Sequence, residues 1–148
     1  MNIIELEEED YATLSGYSVS FKEENYKNFL IENISEKSLV DKIIKFMEDK
    51  GFNEIVIIKN LNVEEEFRGQ GIGKALLEEA LSFADIAILI SDKYEIQDEG
   101  FILDDFYKNS DFEIITETGS GNLMIYPSDI AIELKESIKL KKKNQFKI

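Results

Sequence analysis

A chain of 148 residues, 43% hydrophobic and 32% charged, has room for one buried core and needs neither a disulfide nor a structural metal to hold it. It contains no cysteine and no histidine, which excludes thiolate chemistry, the Ser-His nucleophile pair and most zinc sites. A general base therefore has to be a carboxylate, a lysine, a tyrosine or a relayed water. The net charge is −14, and five lysines (Lys139, Lys141, Lys142, Lys143, Lys147) crowd the last ten residues, so the rest is more acidic still. Such a surface disfavours nucleic acid and favours cationic partners.

No signal peptide opens the chain and no apolar run is long enough to span a bilayer, so the expectation is a cytoplasmic protein with no membrane partner. No repeat or linker divides it, so residues 1–148 are expected to form one domain, with 140–148 as a basic tail.

In chain order, Asn2 to Glu8 is a candidate strand, and Gly16 marks a turn. Tyr17, Val19 and Phe21 alternate with polar residues as a strand does, and Tyr26 to Ile34 reads as its hairpin partner. Ser35 is placed to cap a helix carrying Leu39, Ile43, Phe46 and Met47, which Gly51 ends. Ile55 to Leu61 is a β-branched run expected of a strand buried on both faces. Ile72, Ala75, Leu76, Ala80 and Phe83 share one face of a following helix, and Ile86 to Ile90 is a second buried strand. Phe101 to Lys108 predicts a short helix. Phe112 to Thr118 and Asn122 to Tyr126 predict a hairpin around Gly119-Ser120-Gly121, and Ser128 or Asp129 caps a last helix from Ile130 to about Lys139. The order predicts an α/β protein with a mixed sheet.

Chemistry concentrates between Leu61 and Lys74. Three glycines, Gly69, Gly71 and Gly73, separate a buried strand from an amphipathic helix, beside Arg68, the only arginine. Glycines let consecutive amides converge, and a helix N-terminus adds free N–H groups and a favourable dipole for an anion. Arg68 adds charge and a fork of donors. A P-loop is excluded by Arg68 and Ala75, which stand where it needs glycine and Ser or Thr. A dinucleotide fingerprint is excluded by Lys74, where it needs glycine. The neighbouring Glu64-Glu65-Glu66 reads as a solvated run.

In this register Leu61, Val63, Arg68, Gly69, Gly71, Ile72 and Gly73 resemble the GNAT superfamily of N-acetyltransferases, whose pattern is a hydrophobic residue, x, V, four residues, then R-G-x-G-I-G. The resemblance implies a mixed, mostly antiparallel sheet with helices on both faces and acetyl-CoA as co-substrate, with no metal. It implies that the amides of Arg68, Gly69, Gln70, Gly71, Ile72, Gly73 and Lys74 hold the pyrophosphate. Leu61, Asn62 and Val63 would splay from the next strand and pair with pantetheine, and the Val63 amide would polarise the thioester carbonyl. Phe106-Tyr107-Lys108-Asn109-Ser110-Asp111-Phe112 is similar to the family's F-Y-x-x-x-G-F element, with Tyr107 placed to protonate the CoA sulfur. Asp111 stands where the family has glycine. Ser91-Asp92-Lys93 offers no asparagine where members often carry one.

The general base is not identified by the resemblance; Glu54, Asn60 and Glu64 are the local candidates. The acceptor is expected to be a primary amine on a small molecule or peptide, cationic on the charge argument alone. Two alternatives stay open: a degenerate member that binds acyl-CoA without transfer, and a member acting on aminoacyl-tRNA, against which the acidity counts. A homodimer is left open.

Overall fold

The computed structural model describes residues 2–34, 36–91 and 103–145, with side chains to Lys139 apart from that of Leu103. The expected cap at Ser35, the pair Asp92-Lys93, the helix start at Phe101 and the side chains of the lysine tail lie outside the described residues. Among the described residues six strands make one sheet: β1 (Asn2–Glu8), β2 (Ala12–Ser20), β3 (Glu54–Val63), β4 (Ile86–Ser91), β5 (Glu113–Thr118) and β6 (Gly121–Tyr126), in the order β1-β2-β3-β4-β6-β5. Only β3 and β4 are parallel; every other neighbouring pair is antiparallel. Five helices among the described residues, α1 (Tyr26–Ile34), α2 (Lys37–Lys50), α3 (Ile72–Leu81), α4 (Leu103–Lys108) and α5 (Ser128–Gln145), give the mixed α/β architecture. The expected mostly antiparallel sheet with helices on both faces is therefore present.

Period-two alternation in the central strands divides the core. Ile55, Ile57, Ile86, Ile88, Leu123 and Ile125 face α1, α2 and α5. Val56, Ile58, Ala87, Leu89 and Met124 face α3 and α4. Ile55–Ile58 are 0–5% exposed, as a strand covered on both sides must be.

Three readings need correction. Tyr26–Ile34 is a helix, not a hairpin strand. Its aromatic and β-branched residues suggested a strand, but Tyr26, Phe29, Leu30 and Ile34 recur at helical spacing, and Leu30 and Ile34 are buried. The Tyr26 hydroxyl donates to Glu48 of α2 at 2.6 Å, and this bond raises the phenol's pKa above its ordinary value. Gly16 lies inside β2, not in a turn. On α3 the buried face is Leu76, Leu77, Ala80 and Leu81, while Ala75 and Phe83 are exposed.

Other boundaries move little. Gly51 ends α2 with φ 78°, its N–H bonded to carbonyls of the last turn. The hairpin β5–β6 forms around Gly119 and Ser120. The last helix begins at Ser128, two residues early, with the Asp129 carboxylate accepting from the Ile130 N–H at 2.9 Å, and runs to Gln145.

Candidate functional site

The site begins with a bulge. Gly16 pairs with Ile58 and Ser15 with Asn60, so Lys59 is an extra residue in β3. The insertion changes which residues share a face. Ile58 points toward α3, and so, after the bulge, do Leu61 and Val63. A regular strand would have sent Asn60 and Asn62 there instead. The bulge therefore places the hydrophobic-x-Val pattern at the strand tip.

β3 also parts from β4 here. Their parallel pairing ends at Ile58↔Leu89, although β4 continues to Ser91 against β6, and β3 continues to Val63 against β2. The register thus shows the two strands parting after Ile58 and Leu89. The Glu64 N–H donates to the Tyr11 carbonyl on the β2 side at 2.7 Å. Alternation then turns the main-chain groups of Leu61 and Val63 the other way, into the gap. The Val63 carbonyl accepts from Arg68 Nε–H at 2.8 Å, and the Val63 N–H is turned the same way, away from β2.

A short 3-10 turn, Glu65–Phe67, carries the chain from β3 to the glycine loop. Phe67 stacks on Tyr11 with ring centroids 4.0 Å apart, so the turn is pinned to the β1–β2 connection. Burial, then Glu9 and Glu8, raise the Tyr11 pKa. This stack could not be foreseen, because Tyr11 and Phe67 are distant in the chain and neither belongs to a motif. Glu64, Glu65 and Glu66 are exposed, as expected of a solvated run.

Gly69 and Gly71 have φ of 80° and 82°, and a Cβ on either would meet nothing within 4 Å. Both conformations are costly for other L-residues, and the space beside them is open. The first bond of α3 runs from the Ala75 N–H to the Gly71 carbonyl. The amides of Ile72, Gly73 and Lys74 therefore have no partner within the helix, and no side chain caps them. That is a concave run of main-chain donors at a helix N-terminus, with Gln70 and Lys74 exposed at its rim.

Two residues of the loop also make contacts that the sequence reading did not include. Gly73 lacks positive φ; a Cβ there would lie 3.4 Å from Val63 Cγ2 and 3.6 Å from Phe106 Cζ. Both are ordinary van der Waals separations, so residue 73 marks where α3 starts against the strand tip and α4. The Arg68 Nε–H ties the loop to the Val63 carbonyl.

From α4, Phe106 reaches this contact, and Tyr107 is buried at 6% exposure, edge-on to both Phe106 and Phe112. Asp111 adopts φ 70°, the left-handed conformation for which the family uses glycine, and the Phe112 N–H returns to the Tyr107 carbonyl at 3.1 Å. The base candidates gather nowhere. Glu54 starts β3 at its far end, and Glu54, Asn60 and Glu64 are all exposed. An asparagine does reach the end of β4, but from β6: Asn122 pairs with Ser91, and its Nδ2 donates to Asp104 Oδ2 at 2.8 Å.

Residues 26–114, more than half the chain, match the acetyltransferase (GNAT) domain family. The chain therefore belongs to the GNAT N-acetyltransferase family. No curated protein matches it. Among solved structures it is similar to Arabidopsis thaliana NAA60 in complex with a bisubstrate analogue (17% identity, TM-score 0.45, 78% of this chain and 63% of that one). It thus spans less than two thirds of that protein's length. It is also similar to PaiA N-acetyltransferase from Thermoplasma acidophilum in complex with coenzyme A (19%, 0.40, 71% and 79%). A third likeness is to the GNAT-family protein YhbS from Escherichia coli in complex with CoA (13%, 0.37, 80% and 85%). Among the described residues no helix is long and apolar enough to cross a membrane.

Proposed function

We propose that this protein transfers an acetyl group from acetyl-CoA to the primary amine of a cationic acceptor. Acetyl-CoA would supply the activated acyl thioester; the chain supplies its binding and the proton chemistry. The observation that supports this most directly is the coincidence of two features at one strand tip. β3 leaves β4 after Ile58↔Leu89, with the main-chain groups of Leu61 and Val63 turned away from β2, and the glycine loop leading to the uncapped amides of Ile72, Gly73 and Lys74 follows at once. An extended pantetheine arm suits the first, and a pyrophosphate the second.

Within this reading the Val63 N–H donates to the thioester carbonyl oxygen, where negative charge develops. Asn62 lies between the two outward-facing residues and holds the strand to β2 through its pairing with Thr13. Tyr107 gives its phenolic proton to the departing sulfur. The net charge of −14 concentrates cations near the protein and favours an ammonium-bearing small molecule or peptide over an anionic acceptor.

The test is CoA release from acetyl-CoA across a panel of polyamines, basic peptides, neutral amines and amino acids. Acetylation of the cationic members is expected to be the most efficient. Preference for neutral or anionic amines would reject the acceptor class. Coenzyme A binding with no release for any amine would favour a binding protein over an enzyme. Tyr107→Phe is expected to lower kcat roughly tenfold or more while leaving coenzyme A affinity within about twofold, measured by steady-state kinetics and calorimetry. Unchanged turnover would leave Tyr107 a packing residue.

A further inference from the structure

The corner where β4 ends holds a partly buried polar cluster that the family motifs do not include. Ser91 is the last residue of β4, two beyond the final pair with β3, and is 1% exposed. Asn122 stands opposite it on β6. Leu89 and Met124, two residues away on each strand, pack under α3 and α4, so Ser91 and Asn122 continue that face. Asp104 comes down onto them from the first turn of α4, where its Oδ2 accepts from Asn122 Nδ2 at 2.8 Å.

Two atoms in this cluster are left over. Ser91 Oγ and Asp104 Oδ1 are buried without a hydrogen-bond partner among the described residues. Buried polar atoms of this kind are rare in native proteins and call for a ligand, a water or a chemical role. No lysine or arginine pairs with Asp104 among the described residues. The Asn122 amide fixes the carboxylate's orientation without neutralising its charge. One carboxylate oxygen that accepts, beside a hydroxyl that both donates and accepts, suits an amine bearing N–H donors.

The cluster's place matters as much as its chemistry. Two residues along α4, Phe106 lies against Gly73 and Val63. One helix thus bridges the glycine loop and the end of β4, with Asp104 toward β4 and Phe106 toward the strand tip.

We infer that Asp104 takes the proton released by the acceptor amine, with Asn122 as its positioning residue and Ser91 holding the amine or an intervening water. The inference rests on the acetyl-transfer reading above. In the step, the amine nitrogen forms a bond to the acetyl carbon. The carbon–sulfur bond breaks with its electron pair going to sulfur. One N–H proton passes to Asp104 Oδ1, directly or through that water, and the sulfur takes a proton from Tyr107. With no histidine in the chain, a carboxylate is the natural group for this work.

Asp104→Asn keeps the shape of the side chain and removes its basicity. It is expected to cut kcat by about a hundredfold or more while leaving calorimetric coenzyme A affinity within twofold and the melting temperature within a few degrees. Millimolar to molar formate is expected to restore turnover to Asp104→Ala but not to Tyr107→Phe, a rescue that a merely structural tie to Asn122 would not give. Turnover of Asp104→Asn within threefold of the parent would overturn the assignment. So would a loss of turnover accompanied by lost coenzyme A affinity or lost folding, or a failure of formate to restore Asp104→Ala. A parent protein that binds coenzyme A but acetylates no amine would overturn the transfer reading and this assignment with it. An active parent beside an active Asp104→Asn overturns the assignment alone.

Discussion

Gly71→Glu is expected to weaken coenzyme A binding by roughly a thousandfold, to the point of loss in an ordinary titration. Gly71 has φ 82°, and the space where its side chain would project is empty of protein atoms to 4 Å. A side chain added there points into the volume assigned to the diphosphate instead of clashing with the fold. Two like charges 4 Å apart in a partly shielded site repel by about 4 kcal/mol, a factor of roughly a thousand in affinity. Gly71→Ala separates the two components of this effect. It carries the left-handed strain, about 1–2 kcal/mol, but no charge, and its coenzyme A affinity is expected to fall by less than roughly tenfold. Equal affinities for the parent and Gly71→Glu, measured by calorimetry on folded protein, would remove the phosphate cradle. Gly73→Glu is a poorer probe, because its Cβ points at Val63 and Phe106, so any loss could come from displacing α4.

That distinction between Gly71 and Gly73 marks where sequence reading stops. The glycine pattern located the loop, and the loop is there. Spacing alone could not say that Gly69 and Gly71 take positive φ while Gly73 lies beside Phe106, since that neighbour comes from a helix thirty residues away. Local signals served well where one element decides its own form: the β-branched run of β3, the αL glycine ending α2, the Gly-Ser turn between β5 and β6. They misled at Tyr26–Ile34, where residue type argued for a strand and helical spacing, together with the docking of Leu30 and Ile34, decided otherwise. Asp104, Asn122 and Ser91 were not legible at all. Each is ordinary in its own segment, and only the sheet order, which brings β6 beside β4, makes them neighbours. Membership of the family was legible because its motif is contiguous; the proton acceptor was not, because its parts are scattered.

The largest effect on the fold is expected at Gly16, which shares the bulge with Lys59. A Cβ at Gly16 would sit 2.2 Å from the Ile57 carbonyl oxygen, a separation that side chains do not tolerate, and the atom it meets is backbone in the middle of the sheet. Relief requires β2 to move off β3, which breaks ladder bonds between two central strands. Gly16→Ala should therefore cost about 3 kcal/mol or more, at the severe end for a single substitution, and lower the melting temperature by roughly 6–12 °C. Gly119→Ala is the matched control: nothing lies within 4 Å of its Cβ position, φ there is not positive, and the melting temperature should hold within about 2 °C. Similar melting of the two variants would mean that β2 does not approach β3 as closely as described. The consequence reaches the site, because the same close approach sets the register in which Lys59 is the extra residue and Leu61 and Val63 face α3. If β2 slides to accommodate alanine, the tip of β3 loses the orientation that aims the Val63 N–H into the gap. Whatever Gly16→Ala remains folded at low temperature should then bind coenzyme A more weakly than the parent, although residue 16 lies on a different strand from every residue assigned to the coenzyme.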